Sequence, residues 1–169
     1  MTDVESPDWD RIVEGHAPRV FRVAMRILRS VQDAEDVSQD VFIEAFRLHQ
    51  AGPVRSWTGL LVRLATLRSL DRLRRNRPTV ALRDCDRVST AAPSDELQAS
   101  ELADWLRKSI AQLPDQQATV FVMHHFEQLS RDVVSAALGV SPEAVSTALH
   151  KARQRLLAQL AVFQQGDLK

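Results

Sequence analysis

The sequence predicts an all-α protein: two small helical domains joined by a flexible linker, the second containing a helix-turn-helix. Three observations predict it. Apolar residues recur at spacings of three and four along most of the chain, and no run alternates with the period of two that a half-buried strand requires. The stretch from Pro78 to about Ser100 has no sustained apolar period and is rich in Asp, Ser, Thr and Pro, the composition of a linker. Near the C-terminus a short segment headed by Ser130 stops at Leu138-Gly139, and Ser141-Pro142 then opens another, which is helix-turn-helix spacing. The boundaries read from these patterns are a first domain over 7–77, a linker over 78–100 and a second domain over 101–162.

Ser6-Pro7 resembles a cap followed by a first-turn proline, and Trp9, Ile12, Val13, Val20, Phe21, Ala24, Ile27 and Leu28 mark one apolar stripe after it. Pro18 lies inside the stripe. It lacks the N–H that would bond the carbonyl of residue 14, so a kink near Glu14-Gly15 or two consecutive helices are expected. A second helix, with Asp33 as its cap, runs to about Gln50 on the stripe Val37, Val41, Ala45 and Leu48. Ala51-Gly52-Pro53 breaks it. A third helix then carries Leu60, Leu64, Leu67, Leu70 and Leu73 with arginines set around them, ending near Arg77-Pro78. Beyond the linker Leu102, Trp105, Leu106, Ile110 and Leu113 form an amphipathic helix closed by Pro114, and Gln116 to Gln128 forms the next. In the last helix Val145, Leu149, Ala152, Leu156 and Leu160 share a face.

A formal net charge of zero over 169 residues conceals segregation. Val31 to Phe46 carries five carboxylates and no cation, Pro53 to Arg77 carries seven arginines against one aspartate, and Asp84 to Asp104 is acidic again. An acidic helix that is apolar on one side suits a basic protein partner, and the cationic helix after it suits a polyanion. Arg68, Arg72 and Arg75 fall on one side at spacings of four and three, with Arg74 and Arg77 adjacent, so they either track a phosphate backbone or form a solvated face. On the last helix Glu143, Ser146, Thr147, His150, Lys151 and Gln154 lie opposite the apolar stripe, with Arg153 and Arg155 flanking. Small polar residues at its start can reach base edges and the cations further on can neutralise phosphates; the other reading is a solvated hairpin.

Trp57 heads the cationic helix, as a stacking platform for an unpaired base or as a core residue. His124 and His125 are adjacent and diverge by about 100° on a helix, so no metal site is expected from them. One cysteine, Cys85, gives no disulfide framework, and five glycines without a phosphate-cradling loop argue against a nucleotide-using enzyme. No catalytic group, cofactor or metal is expected. With an acidic start and no apolar run longer than four residues, the expectation is a cytoplasmic protein without a membrane segment.

Taken in order, these residues resemble the extracytoplasmic-function sigma factors, the small two-domain initiation subunits of bacterial RNA polymerase. The resemblance runs from about Trp9 to Leu160 and rests on DAEDVSQDVF at Asp33 to Phe42, SLDRLRR at Ser69 to Arg75, Leu113-Pro114, Leu129-Ser130, LGVS at Leu138 to Ser141, and LHKARQRL at Leu149 to Leu156. It implies that Asp33, Asp36, Gln39, Asp40 and Phe42 contact the clamp of the polymerase core. It also implies that the loop from His49 to Ser56 holds a base flipped from the non-template strand, while Arg68, Arg72, Arg75 and Arg77 grip the downstream promoter element; the tryptophan usual before Leu61 is replaced by Leu60, with Trp57 three residues earlier. The helix opened by Ser141, with Glu143, Ser146, Thr147, His150, Lys151 and Arg153, would enter the major groove of the upstream promoter DNA. An anti-sigma protein is a further partner the family suggests. The chain departs from the family at Leu67, where Asn is usual, at Val133, where a glutamate would complete a capping box with Ser130, and at Ser146 and Ala148, positions often cationic.

Overall fold

The structure, a computed structural model, describes residues 8–76 and 94–166. Among these all regular structure is helical. Helix α1 spans Trp9–Leu28, α2 Val31–Ala51, α3 Trp57–Arg75, α4 Ser94–Gln112 and α5 Asp115–Phe121. A π-helical turn over Val122–Phe126 follows, then α6 Arg131–Leu138 and α7 Pro142–Gly166. Helices α1, α2 and α3 pack on one another, α5, α6 and α7 form the second group, and α3 also packs against α4, α5, the π-turn and α6.

That double duty shows in the burial of α3. Leu61, Val62, Leu64, Ala65, Thr66, Ser69 and Leu70 are all buried, more than one amphipathic stripe accounts for, whereas Leu60, Leu67 and Leu73 are half-buried. A helix apolar around much of its circumference is an interior helix, and α3 is the element both domains share. Thr66 and Ser69 are tolerated inside because the Thr66 hydroxyl donates to the Val62 carbonyl at 2.8 Å and both side chains are small.

Several sequence expectations are corrected. Helix α1 passes through Pro18 as one element, which removes the two-helix alternative and leaves that of a kink within one helix. Glu14, Gly15 and Pro18 are exposed, so the carbonyl freed by the proline faces water, while burial of Val20, Val23, Ala24 and Ile27 carries the helix onward. Its cap is Asp8, whose carboxylate accepts the Arg11 N–H at 3.5 Å; Ser6 and Pro7 lie outside the described residues. The cap of α2 is Ser30, not Asp33: the Asp33 N–H donates to the Ser30 hydroxyl at 3.2 Å, which frees the Asp33 carboxylate for an ion pair. Leu48, placed on the buried stripe, is 43% exposed.

Residues 94–100 of the expected linker belong to α4, whose Ser-Asp-Glu start and Leu97-Gln98-Ala99 continue favourable helix propensity backward. Residues 78–93 lie outside the described residues. The helix expected over Gln116 to Gln128 closes early: α5 ends at Phe121 and the chain widens into the π-turn, with the Glu127 N–H bonding the Val122 carbonyl at 3.1 Å. The His124 ring nitrogen Nδ1 lies 2.9 Å from the Leu129 carbonyl, which ties down the exit of the turn.

The helix-turn-helix is built as its sequence predicts. Ser130 caps α6 by accepting the Val133 N–H at 3.3 Å, Gly139 closes it at φ 66°, and the Ser141 hydroxyl accepts the Ala144 N–H at 3.2 Å to open α7. A Cβ at residue 139 would meet nothing within 4 Å, so the glycine is required by its backbone angle rather than by space. Gly139→Ala is expected to lower unfolding stability by about 1 kcal/mol through the left-handed conformation alone. Gly15→Ala, in an exposed helix interior with equal room, should raise it by about 0.5–1 kcal/mol. Urea titration monitored by circular dichroism reads both changes, and equal effects of the two substitutions would contradict the assignment.

Candidate polymerase and nucleic-acid interface

The acidic and cationic helices are antagonists within one domain before they meet any partner. Arg68 donates to Glu44 through Nε at 2.8 Å and Nη2 at 2.6 Å, and Arg72 pairs with Asp33 at 2.7 Å and with Asp36 at 2.9 Å. The hydrogen bond to Glu44 holds the Arg68 guanidinium above its ordinary pKa. At Arg72 burial opposes the charge, and the hydrogen bonds and charges of Asp36 and Asp33 outweigh it, again raising the pKa. Two of the arginines expected on DNA are therefore engaged across the α2–α3 contact, as are Asp33 and Asp36. Arg75 donates to the Asp71 carbonyl of its own helix at 3.3 Å and stays exposed. Arg77 lies outside the described residues.

What α2 leaves outward is a stripe. Asp36, Gln39, Asp40 and Ile43 stand at helical spacings of three, four and seven, all exposed, with Ile43 52% exposed. Asp40 makes no ion pair among the described residues, and Gln39 no side-chain hydrogen bond. Ile43 was missed in the sequence because an isoleucine reads as core; its place four residues after Gln39 is the signal that would have found it. Phe42 is half-buried, its ring edge-on to Trp9 with centroids 6.3 Å apart.

At the other end of α2 an aromatic cluster sits on the head of α3. Trp9 meets Phe46 at 5.0 Å and Trp57 at 5.8 Å, and His49 meets Trp57 at 5.3 Å. Trp57 is thus a packed residue that props the loop from Gly52 to Ser56, with Ser56 capping α3 by accepting the Gly59 N–H at 3.1 Å. Beside this loop lies an open cleft of about 690 Å³, lined by Leu48, Pro53, Arg55, Leu60, Arg63 and Leu138 among others.

On α7, Glu143, Thr147, His150, Lys151 and Gln154 are exposed together and opposite the buried Val145, Leu149 and Ala152. Ser146 turns its hydroxyl back onto the Pro142 carbonyl at 3.0 Å. Ala148 is buried, so a small residue there is a packing requirement and not a lost phosphate contact. Arg153 leans on the π-turn, its guanidinium 3.1 Å from His125 Nε2, which accepts the bond as a neutral imidazole. No group of three or more His, Cys, Asp or Glu among the described residues is arranged to hold a metal ion, and no helix there is long and apolar enough to cross a membrane.

Burial first, then the Arg153 and His124 charges, push the His125 pKa below its usual 6.5. A histidine whose folded pKa is depressed loses stability as pH falls below the unfolded value, because only the unfolded chain takes up the proton readily. His125→Gln should therefore flatten the fall in stability between about pH 7 and 5.5, read from denaturant midpoints across that range. An unchanged slope would remove His125 as its source.

Comparison with known proteins agrees with this geometry. The family Sigma-70 region 2 matches residues 12–79, and Sigma-70 region 4 matches residues 103–156. The ECF RNA polymerase sigma factor SigE of Mycolicibacterium smegmatis is 35% identical over 160 residues, which is 92% of this chain and 62% of that protein. SigW of Bacillus subtilis is 28% identical, covering 88% of this chain and 87% of the relative. Two solved structures share the fold. CnrH in complex with the cytosolic domain of CnrY has a TM-score of 0.59 at 21% identity, over 91% of this chain and 88% of that one. The sigma factor RpoE in complex with the anti-sigma factor NepR from Bartonella quintana has a TM-score of 0.55 at 17% identity, over 92% and 98%. With both sigma regions present in order and joined through one central helix, the chain belongs to the sigma-70 family, as an extracytoplasmic-function sigma factor of transcription initiation by RNA polymerase.

Proposed function

We propose that this sigma factor docks on the polymerase core through the outward stripe of α2 and addresses promoter DNA through the loop and head of α3 and through the outer face of α7. The observation that carries the docking assignment is the stripe itself: Asp36, Gln39, Asp40 and the exposed Ile43 form an acidic and apolar strip on a helix whose Asp33 and Glu44 are paired with α3. Such a strip fits basic, partly apolar helices of a partner. Phe42 supports it from behind by packing on Trp9.

For DNA, the domain over 7–77 offers the loop from Gly52 to Ser56 with exposed Arg55, the cleft beside it and Arg75; Arg68 and Arg72 reach phosphate only by exchanging carboxylate partners. That exchange is chemically easy, because both pairs are at least partly exposed and solvent-screened. Trp57 then acts by fixing the loop beside an extruded base. The second domain, 101–162, presents Glu143, Thr147, His150 and Lys151 to the major groove, with Ser141 setting the start of the helix. Duplex opening in this scheme takes no covalent step: binding of the extruded base and single strand offsets an unstacking cost of a few kcal/mol. The setting is cytoplasmic, where the polymerase works, and an anti-sigma protein, such as the one bound to RpoE of Bartonella quintana, belongs to the same reading.

The docking assignment is tested with Asp40→Lys, which breaks no internal pair. Association with purified core polymerase should weaken by at least about tenfold, the scale of one unfavourable charge reversal at an interface, while helicity and thermal midpoint stay unchanged. Binding at wild-type strength would place the polymerase contact elsewhere.

A further inference from the structure

Helix α4 has two contact faces. Trp105 lies against Phe163 of α7, with ring centroids 5.7 Å apart. Ala103, Leu106, Arg107 and Ile110 follow one another at spacings of three, one and three, which puts them on a second face, and this face lines a cavity of about 120 Å³. Ile27 of α1, Leu70 of α3 and Phe126 of the π-turn close the other side. An apolar cavity of about 150 Å³ holds a benzene ring, so this one takes a single ring or a branched group of about four carbons. Ala103 and Arg26, both exposed, stand at its mouth.

Arg107 is the exception on this apolar wall. Its side chain is 16% exposed, its Nη2 donates to Asp104 at 3.3 Å, and its Nε is buried with no hydrogen-bond partner among the described residues. Arg29 draws on the same Asp104, and Arg19 and Arg26 share Glu127, so four guanidinium groups are served by two carboxylates. Burial first, then the Arg29 charge, hold Arg107 below its ordinary pKa against the pull of Asp104. Arg26 is fixed over the Phe126 ring, 5.1 Å from its centroid, and donates to the Phe126 carbonyl at 3.1 Å. The two polar side chains of the wall are therefore donors only. A water would find in them no acceptor for its own protons, whereas a carboxylate, which only accepts, answers the orphaned Nε and the surplus positive charge together.

We propose that this cavity is a binding site for a small carboxylate with one apolar group, an aromatic ring or a short branched chain. The apolar group lies among Ile27, Leu70, Leu106 and Ile110, and the carboxylate accepts from Arg107 Nε. Arg107 selects the charge and the volume selects the size, so neither a cation nor a long acyl chain fits. The inference rests on the cavity and its charges alone, and stands apart from the polymerase and DNA contacts proposed above.

The test titrates the full chain with benzoate near neutral pH and follows the methyl signals of Ile27 and Ile110 by NMR. Benzoate should shift both signals saturably. Benzyl alcohol, the ring without the charge, and acetate, the charge without the ring, should each bind at least about tenfold more weakly, and benzylamine should not bind. Arg107→Gln should weaken benzoate at least about tenfold and leave benzyl alcohol within about twofold, a split that general loosening of the structure would not produce. Ala103→Leu, a good helix former at an exposed position, fills the mouth and should weaken benzoate and benzyl alcohol alike at unchanged helicity. Failure of benzoate to shift the two signals, acetate binding as strongly as benzoate, or parent-strength benzoate binding by either variant overturns the site. If Arg107→Gln does not fold, Ala103→Leu and the comparison of the four probes on the parent chain still decide it.

Discussion

The ion pairs between α2 and α3 decide which charges this molecule has left for partners. Arg68 with Glu44, and Arg72 with Asp33 and Asp36, convert two oppositely charged helices into a matched seam. Because these groups are partly exposed, the seam adds little to stability, of the order of 0–1 kcal/mol per pair, and its larger effect is positional. It fixes the rotation of α2 about its axis, with Gln39 and Ile43 turned to solvent.

The same residue type works differently one helical face away. Arg63 and Arg74 point from α3 into the second domain and bond backbone carbonyls at the ends of α6 and α4, groups that a helix leaves without partners. Only guanidinium, with several donors in a fixed plane, bonds two carbonyls and a carboxylate together as Arg74 does. Helix α3 therefore carries two arginine systems, one bracing its own domain and one reaching across to the next, on a core of Leu61, Val62, Ala65 and Leu70 that is dry on both sides.

Much of this was legible in the residues. The helix-turn-helix was readable to the residue, since Ser130, Gly139, Ser141 and Pro142 each impose a local backbone geometry that tertiary context did not alter. The order of helices and the segregation of charge were equally visible. Partnership was not. Asp33 reads as a cap and is an ion-pair acceptor, because Ser30 stands three residues ahead of its N–H. Leu48 reads as part of the buried stripe and faces outward, and Ala148 reads as a groove position and faces inward, each displaced by a part-turn that periodicity over so few residues does not resolve. The leucine stripe on α3 hid its second buried face, because Gly59, which meets Ala137 of α6, is small and carries no hydrophobic signal. The π-turn after Phe121 had no marker in the sequence at all.

The most direct measurement of the account is run-off transcription by purified core polymerase over a genomic library with this chain as the added factor. RNA starting at a restricted set of sites, only when the chain is present, is the predicted result. An absence of new starts, together with no detectable affinity for the core enzyme, would contradict it.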